Sequence, residues 1–466
     1  MKRKMLSIAM ALAMMLSLLP VTVLAADALP SPENGVIKLT EDVTQTDGIE
    51  VPSNLTIDLN GHNLKMTMLD VKDGVSLTIT DTSADKNGKV TTDGANTVAI
   101  RSGGTLILEN GTIENTLPGG NAVFNMGTFT IKGGMVKGET GVYNTAWNGQ
   151  TAVTGNIVCN VEGGTVDASI WGVCVMGPGI RNGDLSTVDN GKLVVNISGG
   201  TIIAEQGIAG NASSGTRAGF TVNMTGGEIK DHAGNGTGMY LPSIGITNIS
   251  GGSVTAAQAI RICAGELNVT GGTITCTAVG NNEDLIAGGS GGTNGAIVVG
   301  KASNGYVGDI KVNVSGSAVI KNTAQGSDSD IYPTIVVSDK NMAQTTEQSF
   351  KDPATGSDIE ANYRYSETST SVVVNAQVTG DIVKISNISS SNTQDGGNTS
   401  LEIAGGSVTG NVINQTTAGD LTVAGAAVTG NVKNNSTGAV VISDGTNISG
   451  SVTSSNNGNV AILDST

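Results

Sequence analysis

Val195-Asn196-Ile197-Ser198-Gly199-Gly200-Thr201-Ile202 alternates apolar and polar side chains, turns on two glycines, and resumes with a small and an apolar residue. Alternation with a period of two marks a β-strand that buries one face. The glycine pair marks a backbone turn, because glycine enters positive φ without steric cost. The pattern returns as Phe129-Thr130-Ile131-Lys132-Gly133-Gly134-Met135-Val136 and as Leu267-Asn268-Val269-Thr270-Gly271-Gly272-Thr273-Ile274. Further copies start at Cys159, Val222, Thr247, Val312, Leu401 and Leu421, and a looser one at Leu106 ends in Asn110-Gly111. The first glycine of the pair falls at 133, 163, 199, 226, 251 and 271, giving steps of 30, 36, 27, 25 and 20 residues.

A second strand follows each copy, as in Gly141-Val142-Tyr143-Asn144, Gly172-Val173-Cys174-Val175, Gly238-Met239-Tyr240-Leu241 and Gly295-Ala296-Ile297-Val298. Two or three short strands per 20–30 residues bury no face alone. Stacked as rungs they do, each pairing in parallel with its counterpart one coil away. No helical periodicity of useful length exists beyond the first residues, which excludes βαβ folds. A sandwich would need hairpin signals and aromatic core residues that are missing. The expectation is an all-β solenoid of about 14 coils, at one rung per about 4.8 Å.

This pattern resembles the right-handed parallel β-helix of the pectate-lyase-like superfamily, and in particular the Gly-Gly-Thr-Ile repeat proteins of bacterial surfaces. Asn54-Leu55-Thr56-Ile57-Asp58-Leu59-Asn60-Gly61-His62-Asn63-Leu64 looks like the first coil of that family. The resemblance covers about residues 33–320 and 371–466. It implies an exported, adhesin-like protein. It also implies an alternative, a polysaccharide lyase or glycoside hydrolase, because many relatives of this fold cleave polyuronides.

Residues 1–25 read as a secretory signal. Lys2, Arg3 and Lys4 precede an apolar run from Met5 to Leu19, and Val23-Leu24-Ala25 places small residues for cleavage. The expected organisation is a signal peptide at 1–25, a β-helix at 26–320, an irregular insertion at 321–370, and short 20-residue coils at 371–466. No later stretch has membrane length, so no span is expected after signal removal, and the protein is expected to be secreted or on the cell surface. Val460-Ala461-Ile462-Leu463-Asp464 reads as the start of one more strand, so either the stack continues beyond it, which is the expectation, or this end pairs with a partner. The net charge of −16, with no basic stripe, argues against nucleic acid as a partner. Gly numbers 67, but it lacks a three-residue period, which excludes collagen.

Alternation assigns faces. Asn160, Asn196, Asn223, Asn248, Asn268 and Asn313 share one outward repeat position, mostly as Asn-x-Ser/Thr. Stacked amides at rung spacing predict a hydrogen-bonded ladder rather than glycan attachment. The following strand's outward column reads Phe124, Tyr143, Cys174, Ala209, Tyr240 and Arg261, with Trp147 and Trp171 close in sequence. Aromatic rings along a parallel sheet make a platform for sugar rings. Phe124, Tyr143, Trp147, Trp171, Tyr240 and Arg261 are therefore the candidate ligand-binding residues, for an extracellular polysaccharide or a host or cell-surface glycan. Set against this is the plainer reading, that the rings shield neighbouring backbone.

No cofactor and no metal site is expected. The four cysteines, Cys159, Cys174, Cys263 and Cys276, lack metal-ligand spacing and read as inert buried thiols or one disulfide. Asp328 and Asp330 in the insertion do not have the spacing of a recognised ion loop. A glycosidase needs two carboxylates at a set separation, and a lyase a base facing acids. With His62 and His232 the only histidines and Arg261 the only base in its column, no catalytic residue stands out.

Overall fold

The computed structural model describes residues 29–147, 153–180, 185–210, 217–232, 234–278, 294–300, 308–324, 333–339, 348–351, 358–361, 369–386 and 399–465. The expected signal at 1–25, and Asp328 and Asp330, lie outside them. Two compact units divide the chain, one carried mainly by residues up to 223 and the other mainly by 224–466. Each is an all-β parallel β-helix. Among the described residues the one helical segment is the 3-10 turn Leu185–Thr187, and no helix is long and apolar enough to cross a membrane.

In the first unit every coil contributes three strands, to three walls. The first wall includes Ser76–Thr80, Thr105–Leu108, Ile157–Val161 and Leu193–Ile197. Its parallel register stacks Leu77, Leu106, Phe129, Cys159 and Val195 in one column, each fully buried. The second wall stacks Val90, Ile113, Val136, Val166 and Ile202 in the same way. The third stacks Leu69, Val98, Val123, Val142 and Val173. Burying one such side chain stabilises by about 1.5–3 kcal/mol. Slipping one strand by a single residue would turn its apolar set outward, so the columns fix the register.

The second unit repeats the design. Leu267, Val312, Val372 and Leu401 stack on its first wall, and Val254, Ile274, Ile320, Val378, Val408 and Val428 on its second. The third wall stacks Met239, Ile260, Ile297, Ile335, Ile382, Val412 and Val432.

The glycine pair is the corner between first and second walls. Gly164 and Gly200 sit at φ of +67° and +69°. A Cβ on Gly200 would lie 2.6 Å from the Gly163 carbonyl oxygen, in the coil above. Conformation and close stacking both demand glycine there.

Sixteen first-wall strands occur among the described residues, against about 14 coils expected. The small-apolar pair after the glycines forms a wall of its own, so each coil has three walls. Within the stretch expected to be irregular, 321–370, the apolar run Ile335-Val336-Val337 carries a rung strand, Pro333–Ser338.

Candidate ligand-binding face

The third wall carries the candidate residues. Glu50, Asp70, Ala99, Phe124, Tyr143 and Cys174 form one register column of the first unit. Phe124 and Tyr143 stack with ring centroids 5.7 Å apart and planes 7° from parallel. The pair is covered, at 3% and 4% exposure. Trp171 is buried as well, beside Thr140 in register, and Trp147 is half-buried, its amide donating to Thr145 Oγ1. In the second unit Tyr240, Arg261, Val298, Val336, Val383 and Ile413 share the corresponding column. The Arg261 guanidinium lies 6.0 Å from the Tyr240 ring centroid, with Tyr240 half-buried and Arg261 buried.

The expected open platform is therefore corrected. The column exists and its rings stack, but Phe124, Tyr143 and Trp171 face protein rather than solvent. A large ring is more stable covered than spread on a wet sheet face. The lower part of the column in the second unit behaves alike, since Val298, Val336, Val383, Ile385 and Ile413 form a buried apolar cluster. Tyr240 and Trp147 are the aromatic candidates that keep part of their surface in water.

In the same column as the ring stack, with Ala99 between them, lies a charge cluster that the sequence does not announce. Asp70, 1% exposed, receives Arg101 Nε at 2.6 Å and Lys72 Nζ at 2.8 Å, and Lys72 also reaches Glu50 at 3.2 Å. Burial works against the Lys72 ammonium, but Asp70 and Glu50 outweigh it and hold its pKa above the ordinary lysine value. Buried carboxylates also organise the early corners. Asp81 accepts backbone N–H groups from Gly61, Ser83 and Gly88. Asp58 accepts from the amides of Asn60 and Thr82 and from the Thr82 hydroxyl. For both, these bonds overcome the burial penalty and lower the pKa.

The predicted amide ladder is present in each unit. Asn160 Nδ2 donates to Thr130 Oγ1, Asn196 to Asn160 and Asn223 to Asn196, at 3.0–3.1 Å. In the second unit Asn268 donates to Asn248 and Asn313 to Asn268. Other amide stacks, buried at corners, were not foreseen: Asn121 on Asn96, Asn125 on Asn144, and Asn414 on Asn434.

All four cysteines are free thiols and buried. Burial pushes Cys159 up to about 12 and Cys276 up to about 11, and Cys174 also upward, so none of these three is a ready nucleophile. Among the described residues, no group of three or more His, Cys, Asp or Glu is placed to hold a metal ion. The chain matches no family model, no curated protein and no solved structure.

Proposed function

We propose that the chain is an exported, non-catalytic β-solenoid of a bacterial surface, of the adhesin-like kind, that presents the half-buried Tyr240 region of its third wall to an extracellular or cell-surface glycan. The observation that carries this reading is the half-buried Tyr240 ring beside the Arg261 guanidinium, on a rigid wall that fixes both. The part of the ring that reaches water can meet sugar C–H groups, while the buried guanidinium beside it holds the ring in place as a cation–π partner. The resemblance of the repeat to the pectate-lyase-like superfamily supports the same placement outside the cell.

The test is retention on insoluble polysaccharides and a glycan array, with lyase assays on acidic polysaccharides in parallel. Retention without cleavage, lost in Tyr240→Ala and kept in Leu117→Ala, an exposed leucine of the first unit just after strand Thr112–Asn115, agrees with the proposal. Turnover would place the chain among the enzymes of the superfamily instead. Burial of Phe124, Tyr143 and Trp171 favours a second reading, a structural spacer, for which neither retention nor turnover is expected.

A further inference from the structure

Lys384 is fully buried at a position the alternation reserves for the solenoid interior. In the third-wall register its column reads Val337, Lys384, Asn414 and Asn434. The two asparagines show what the position does. Asn414 Nδ2 donates to the Gly419 carbonyl, five residues ahead, and Asn434 Nδ2 to that of Gly438, four ahead. Each amide closes the short turn that leads from the third wall back to the first.

Lys384 performs the same task over a longer gap. Its ammonium donates to the Thr399 carbonyl, 15 residues ahead, at 3.2 Å, and to that of Asp420, 36 ahead, at 2.7 Å. The third contact is the Asp339 carboxylate, 3.1 Å away. Asp339 is itself anchored: its N–H donates to the Ile385 carbonyl, and its carbonyl accepts from the Thr399 hydroxyl. Gly419 leaves room for the pair, since a Cβ there would come within 2.7 Å of Asp339 and 2.9 Å of Lys384 Nζ. Three separate passes of the chain thus meet at one ammonium. They are the end of Pro333–Ser338 and the starts of Thr399–Thr409 and Leu421–Ala424.

We propose that Lys384 and Asp339 form a clasp that closes the corner where the connections after residues 339 and 386 are too long for an asparagine to bridge, and that the rungs it joins open together when the clasp is broken. A flexible four-carbon stem supplies the reach, and three N–H groups supply the three bonds. The carboxylate offsets a charge that would otherwise be costly to bury. Removing either partner alone leaves the other uncompensated, so the two residues act as one.

A double-mutant cycle read by hydrogen exchange of the full chain tests this. Lys384→Gln and Asp339→Asn, each alone, are expected to speed exchange about a hundredfold in 333–339, 381–386 and 399–409, while Thr105–Leu108 and Thr128–Ile131 stay as in the wild type. The double variant, which buries two neutral amides, is expected to open no further than the worse single variant. Independent, multiplying effects would overturn the proposal, as would wild-type exchange in Lys384→Gln. If a single variant fails to fold, a folded double variant supports the clasp and an unfolded one overturns it.

Discussion

The Asn196 amide donates to Asn160 Oδ1 across 3.0 Å, although 36 residues of chain separate them. Asn223 repeats the bond to Asn196 after 27 residues. The ladder therefore ignores coil length and follows the strand register. Asn196→Ala removes both the donor to Asn160 and the acceptor of Asn223, and is expected to cost about 1–2 kcal/mol in urea unfolding. In Asn196→Asp a carboxylate faces Asn160 Oδ1. That variant should be weaker still at neutral pH and recover below about pH 4, where the new acid protonates.

Glycine at the corner meets two demands, which a pair of substitutions separates. Gly74 and Gly200 share nearly the same φ, +72° and +69°, but a Cβ on Gly74 meets nothing within 4 Å. Gly74→Ala should cost about 1–2 kcal/mol, the conformational term alone. Gly200→Ala should cost about 1–3 kcal/mol more, from overlap with the coil above. Equal losses in the two denaturation curves would show that the coils are not in contact at that corner.

Asp58 and Asp81 make the early coils acid-sensitive. Their carboxyls are held below the usual range by the N–H and O–H groups they accept from. A lowered folded pKa gives stability that is present above the unfolded value and lost as pH falls through the folded one. The urea midpoint of the wild type should therefore fall as pH drops below about 4. Asp81→Asn should begin lower and fall less.

The thiols work in the opposite sense. Cys159 and Cys276 have raised pKa values, so only the unfolded chain ionises above about 8.5. Their contribution is complete below that pH and is lost as it rises toward the folded values near 12 and 11. Native protein treated with an alkylating agent at pH 8 should stay unmodified, and urea-unfolded protein should take up four labels, one per cysteine. Labelling of native Cys174 would contradict its place in the covered column.

Strand, corner and ladder were legible because each repeats. Val195, Gly200 and Asn196 announce their roles by recurring at fixed offsets, and a column is periodicity seen from the side. What was not legible depends on which distant residues meet. Asp81 reads as an ordinary turn aspartate until the amides of Gly61 and Gly88 converge on it. Lys384 breaks the apolar pattern of Ile382 and Val383, and only the approach of Asp339 and Asp420 explains it. Alternation puts Phe124 and Tyr143 in the right column, and their burial agrees with the plainer reading, that the rings shield neighbouring backbone, rather than with an open platform. Alternation tells which wall a side chain stands on, and says nothing about what chain lies over that wall.

Stacking of like residues is most directly tested by cross-linking the ladder itself. Neighbouring rungs lie about 4.8 Å apart, within the reach of a disulfide, and two rungs lie beyond it. Under mild oxidation, Asn160→Cys with Asn196→Cys should form an intramolecular disulfide, resolved by mass spectrometry, whereas Asn160→Cys with Asn223→Cys should not. A first pair that stays reduced, or a second pair that links as readily, would contradict the parallel stack.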